Sequence, residues 1–122
     1  MSQTTTLILF PQTTYDGGVS ANVYTLIGNT QPAASYYLGN KDLQTVNISL
    51  SEVTGNIIIE ASLSTDPTSI DWFQVYELEA NNYSNTNSNA SLYTNVSGNF
   101  VYMRAKVQDF AGGVVNFVKL SY

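Results

Sequence analysis

The chain has 122 residues, of which 43 % are apolar and only 11 % charged, and its net charge is −5. That length suits one domain spanning residues 1–122. With neither Cys nor His, the chain cannot build a disulfide, a thiolate metal site or a Ser-His-Asp or Cys-His device. Four basic residues against nine acids argue against a nucleic-acid surface, and no apolar run approaches the roughly 18 residues that span a bilayer. Thirteen each of Asn, Ser and Thr supply the surface polarity that charge does not. Nine Tyr within a 12 % aromatic content are too many for a disordered chain. Met1-Ser2-Gln3 lacks the basic start of a signal peptide.

The dominant period is two. Residues 4–10 are β-branched and apolar and read as a strand ending at Pro11. Asp16-Gly17-Gly18 marks a turn. Residues 19–27 form the next strand, with Val19, Ala21, Val23, Thr25 and Ile27 on its inward face and Tyr24 and Leu26 on the other. Residues 29–35 read as loop, and Tyr36 to Leu38 as a brief strand before a turn at residues 39–42. Gln44, Val46, Ile48 and Leu50 alternate with Thr45, Asn47 and Ser49, the pattern of a half-buried antiparallel strand. Thr54-Gly55-Asn56 opens the strongest strand, over 57–63, in which Ile57, Ile59, Ala61 and Leu63 share a face. Residues 64–70 form a loop bent at Asp66-Pro67, and 72–78 a strand. Residues 80–91 are rich in Asn and Ser and read as a long surface loop. A short strand over 91–96 and a turn at 97–99 follow. A strand over 100–107 places Val101, Met103, Ala105 and Val107 inward. Residues 109–113 read as a tight connection. The last strand, 114–122, opposes Val114, Asn116, Val118, Leu120 and Tyr122 to Val115, Phe117, Lys119 and Ser121.

Seven to nine short strands without an amphipathic helix predict an all-β fold, a single antiparallel β-sandwich of jelly-roll-like form. Its two sheets would press together the inward faces just named. The last strand is expected to be paired in a sheet, and an exposed strand there would invite pairing with another chain.

Candidate chemistry is sparse. Glu77 and Glu79 share a strand face, the arrangement of paired acid–base carboxylates, yet no other catalytic group accompanies them and they read better as a solvated strand end. Asp42, Asp66 and Asp71 offer oxygens to Ca²⁺, but Asp is equally at home in turns. Trp72 is expected in the core, with stacking on a sugar ring as its other reading. The Asn-x-Ser triplets at Asn47, Asn82, Asn89 and Asn95 follow from composition. Arg104 and Lys106 share a face, read as a wet sheet surface with intrachain Glu partners, or else as a weakly basic strip for an acidic partner.

The stretches GNIIIEASLSTDPTSIDWFQVYEL (55–78) and GNFVYMRAKVQDFAGGVVNFVKLSY (98–122) carry a resemblance. Glu60, Ser62, Leu63, Asp71, Trp72 and Phe73, then Tyr102, Arg104, Ala105, Val107, Gly112 and Gly113, resemble a β-sandwich domain of virion structural proteins of tailed bacteriophages, including cyanophages. Similar strand-loop-Trp-strand patterns occur in jelly-roll and galactose-binding-like sandwiches, and residues 1–50 carry no assignable motif.

The resemblance implies a non-enzymatic structural or assembly protein of the virion (head decoration, neck, tail or fibre). It would be made in the bacterial cytoplasm and contact other virion proteins and copies of itself, with no cofactor, nucleic acid or membrane. Interface or ligand contacts are expected at Tyr83, Tyr93, Tyr102, Arg104, Lys106 and Tyr122, because aromatics are enriched at interfaces. The alternative is a carbohydrate-binding sandwich that uses Tyr and Trp platforms to recognise a host-surface glycan.

Overall fold

Two 20-residue strands, β5 (Leu43–Ser62) and β8 (Tyr102–Ser121), organise the computed structural model, which describes residues 6–15, 25–34, 43–68, 70–83 and 92–122. They pair antiparallel along their whole length, from Thr45↔Ser121 to Ser62↔Tyr102. The other strands are β1 (Thr6–Phe10), β2 (Thr13–Thr14), β3 (Leu26–Ile27), β4 (Gln31–Pro32), β6 (Trp72–Tyr83) and β7 (Leu92–Ser97). All eight form one antiparallel sheet. The expected strands at 19–24 and 36–38, the turns at 16–18 and 39–42 with Asp42, and loop residues 84–91 lie outside the described residues.

The β5–β8 ribbon divides the sheet into two halves. In the first, β7 flanks the N-terminal part of β5, and β1 and β2 flank the C-terminal part of β8. In the second, β6 flanks the C-terminal part of β5, and β3 and β4 flank the N-terminal part of β8. One buried cluster holds Val46, Ile48 and Leu50 from the first half together with Ile57, Ile59 and Ala61 from the second. The sheet is therefore folded across its middle, the sandwich-like arrangement in which strands pass between layers through bulges and bends.

The fold line corrects two expected strand boundaries. Residues 54–56 and 109–113 are not connections between strands; both lie inside continuous strands. The ladder slips between Ser51 and Thr54 and again between Thr54 and Asn56. Glu52 and Asp109 adopt φ of 54° and 56°, and Gly113 a φ of 87°. Such bulges bend a strand while keeping most ladder bonds. They also switch which side chains point inward. Along β5 the core-facing positions run Gln44, Val46, Ile48 and Leu50, then Val53, Ile57, Ile59 and Ala61, while Ile58, Glu60 and Ser62 are buried on the other face. Along β8 the core-facing positions run Met103, Ala105 and Val107, then Phe110 and Val115, then Val118 and Leu120, with Tyr122 buried just past its end. The last switch reflects a slip at Ser49↔Phe117 and Leu50↔Val115, which leaves Asn116 unpaired in the ladder. Strict alternation over 114–122 is thus wrong before Val118, and Val115 is the buried residue.

Other expectations shift. Leu26 packs on the core while Ile27 is exposed, the reverse of the expected facing. Leu63 lies beyond the end of β5 and is exposed. Strand β6 continues to Tyr83, into the stretch read as loop.

One margin of the folded sheet is laced shut. Asn29 N–H donates to Leu9 O at 2.7 Å, Gln31 Nε2 to Ile8 O at 3.0 Å, and Tyr122 Oη to Pro32 O at 2.8 Å. Gly28 is required there, since a Cβ would overlap the Leu9 carbonyl oxygen. At the opposite margin, β6 and β7 each pair only with β5 among the described residues. Phe73 and Phe100 meet edge to face at 5.8 Å on that side.

Candidate interaction surface

The outer face of the second half-sheet is built from β5, β6 and β8. Register sets Glu60 directly between Gln74 and Arg104, Ser62 between Trp72 and Tyr102, and Ile58 between Glu77 and Lys106. Residues directly opposed in an antiparallel ladder share a face, so these nine side chains lie on one face, with Ile58, Glu60 and Ser62 buried along its middle strand beneath the flanking residues. Glu60 sits at its centre and is 8 % exposed. Its carboxylate accepts Arg104 Nε at 2.9 Å through Oε1 and Lys106 Nζ at 3.2 Å through Oε2. Both cations thus have an intrachain partner. The Arg104 guanidinium lies over the Trp72 ring at 4.2 Å from its centroid, a cation–π contact.

Trp72 is only half-buried, stands at the start of β6 and is outside the core cluster. The expectation of a core tryptophan is corrected: Trp72 pairs with Ser62 at the end of the β5–β6 ladder and covers that buried serine from outside the core cluster, and its neighbour Phe73, opposite Ala61, is itself 39 % exposed.

The tyrosines separate. Tyr93 projects from β7 opposite Asn47 and is 65 % exposed. Tyr102 is half-buried on the outer face beside Ser62. Tyr83 ends β6 and packs against the core. Tyr122 is buried within it, so its ring packs the interior. The structure therefore joins Tyr102, Arg104 and Lys106 on one face and leaves Tyr93 on the other half-sheet.

Glu77 and Glu79 are both exposed and both face outward, opposite Ile58 and Asn56. Glu79 also borders an open cleft of about 400 Å³ at the fold line, with Thr54, Asn56, Asn81 and Asp109. Asp71 Oδ2 accepts the N–H and hydroxyl of Thr68 at 2.6 and 3.0 Å, which gives it a loop-closing role. Among the described residues no three His, Cys, Asp or Glu side chains gather as metal ligands.

Two features escaped the sequence reading. Glu60 is a lone carboxylate in an apolar run, Ile57 to Ala61, and such a charge requires a partner when buried; that signal was available. The contrast between the two edge strands was not, because it depends on which strands end the sheet. Exposed apolar side chains collect near the sheet margins: Leu63 and Ile70 in the β5–β6 connection, Leu43 at the start of β5, and Tyr93 on β7.

Comparison with protein-family models, with curated proteins and with solved structures finds no match for this chain.

Proposed function

We propose that the protein is a non-enzymatic structural or assembly subunit of a phage virion, acting through contacts with copies of itself and with other virion proteins. One observation carries the contact part of this reading: large apolar side chains, Tyr93 at 65 % and Ile70 at 88 % exposure among them, stand in water at the sheet margins. Such side chains favour burial against a partner. The low charge content supports the same reading, since charges are depleted in interface cores. The phage setting rests on the resemblance of residues 55–78 and 98–122. Mass spectrometry of purified particles of the phage that encodes the chain tests it. The chain should be present at a fixed copy number, and its absence from the particle overturns the assignment.

The glycan-binding alternative gains support from Trp72, which lies on the outer sheet face near Tyr102. Glycan-array binding that is lost in Trp72→Ala, with the fold retained, would favour it.

A further inference from the structure

We propose that the edge of β7 left unpaired among the described residues pairs with β7 of a second copy, joining two first half-sheets into one continuous sheet across a two-fold axis. This inference rests on the assembly reading above and names the surface through which copies meet.

The two edge strands on the open margin differ in how they are protected. An unpaired edge is a template for strand addition, and proteins blunt it with bulges and inward or flanking charges. Strand β6 has these devices. Its ladder slips between Ile59 and Glu60 and between Val53 and Gly55, Asn82 adopts φ of 52°, and Glu77 and Glu79 stand exposed along it. Two copies pairing through β6 would bring these glutamates together.

Strand β7 has none of them. Its register with β5 is unbroken from Leu43↔Ser97 to Ile48↔Leu92. Its sequence, LYTNVS, contains no charge, Pro or Gly. The neighbouring outward residues of β5, Thr45 and Asn47, are neutral, and Thr45 Oγ1 donates to Asn95 Oδ1 at 2.7 Å. Among the described residues the nearest cation on this face, Lys119, lies two strands away and sits over the Phe117 ring.

Charge selects the occupant. Copies of a chain with net charge −5 repel one another at most surfaces, and like charges across an interface are costly. Pairing β7 with itself sets no charge against another. A two-fold antiparallel pair is self-complementary. Centred on Asn95, it sets Tyr93 of each copy beside Ser97 of the other, with Leu43 next in line across the sheet. Tyr93 and Leu43 are 65 % and 48 % exposed in the single chain, and this arrangement covers both. Asn95 keeps its Oδ1 on Thr45 and has its amide N–H₂ free to donate across the axis.

The chain has no cysteine, so a single introduced thiol reports the contact. Asn95→Cys should give disulfide-linked dimers with oxidised glutathione, whereas Gln74→Cys on β6 should not. By sedimentation equilibrium the native chain should dimerise, and Asn95→Lys should weaken the dimer about tenfold or more with an unchanged circular-dichroism spectrum. Mixing Asn95→Lys with Asn95→Asp should restore dimers. A native chain that stays monomeric up to millimolar concentration overturns the inference. So does a dimer that survives Asn95→Lys, or cross-linking through Gln74→Cys in place of Asn95→Cys. These outcomes are separable from the particle test: a chain found in virions whose dimer ignores β7 keeps the virion reading and ends this one.

Discussion

Glu60 and Arg104 face each other directly across the β5–β8 ladder, and the carboxylate accepts Arg104 Nε at 2.9 Å while also holding Lys106 at 3.2 Å. One nearly buried acid thus ties down two bases of the same strand. Removing the acid leaves two cations, 16 % and 23 % exposed, without their counter-charge. Glu60→Ala should destabilise the fold by about 3 kcal/mol, measured by urea unfolding. Glu60→Leu combined with Arg104→Met and Lys106→Met should recover much of that loss, because an apolar cluster of similar volume needs no desolvation of charge. A triple variant as unstable as Glu60→Ala would contradict this account.

Gly112 and Gly113 are adjacent but unequal. A Cβ on Gly113 would overlap the Glu52 carbonyl oxygen, and its φ is 87°. A Cβ on Gly112 meets nothing within 4 Å. Gly113→Ala should therefore cost more than about 1–3 kcal/mol, the range for a strained backbone alone. Gly112→Ala should be neutral or stabilise by about 0.4–1 kcal/mol through the unfolded chain. Thermal unfolding of the two variants side by side checks the fold line directly.

Trp72→Ala should cost about 1–2 kcal/mol, from a lost cation–π contact and partial burial. Ile59→Ala, at a fully buried position, should cost about 2–5 kcal/mol. Equal losses in chemical denaturation would return Trp72 to the core.

Gln44 is 1 % exposed and bridges elements that share no strand pairing: Oε1 accepts Ala34 N–H at 3.1 Å and Nε2 donates to Val96 O at 2.8 Å. Gln44→Leu preserves most of the volume but strands both backbone groups, at about 1–3 kcal/mol each. Amide exchange at Ala34 should accelerate in this variant. Unaltered exchange and stability would deny Gln44 its bridging role.

Much of the strand content was legible in sequence. Gln44 to Leu50 and Tyr102 to Val107 alternate in the primary structure as they do in the fold, because a pleated strand with one dry face imposes period two on its residues, whereas Phe100 and Val101, expected in the same strand, precede it, and Phe100 is the buried one of the two. The site was legible in part: Arg104 and Lys106 on one face with a Glu partner follow from the same alternation. Which Glu it was, and that Trp72 covers the guanidinium, depends on register between residues more than 30 positions apart, and local pattern carries no register.

Composition and alternation by themselves determined an all-β chain whose chemistry has no thiol or imidazole. Tertiary structure alone decided that Thr54-Gly55-Asn56 and Asp109 to Gly113 are corners inside two long strands. A Gly-rich stretch permits either a turn or a bend, and the choice falls to the bend here because β5 and β8 keep pairing through it, so that one ribbon supplies both layers of the core. The same pairing decides which strands end the sheet, and therefore where another chain can add to it.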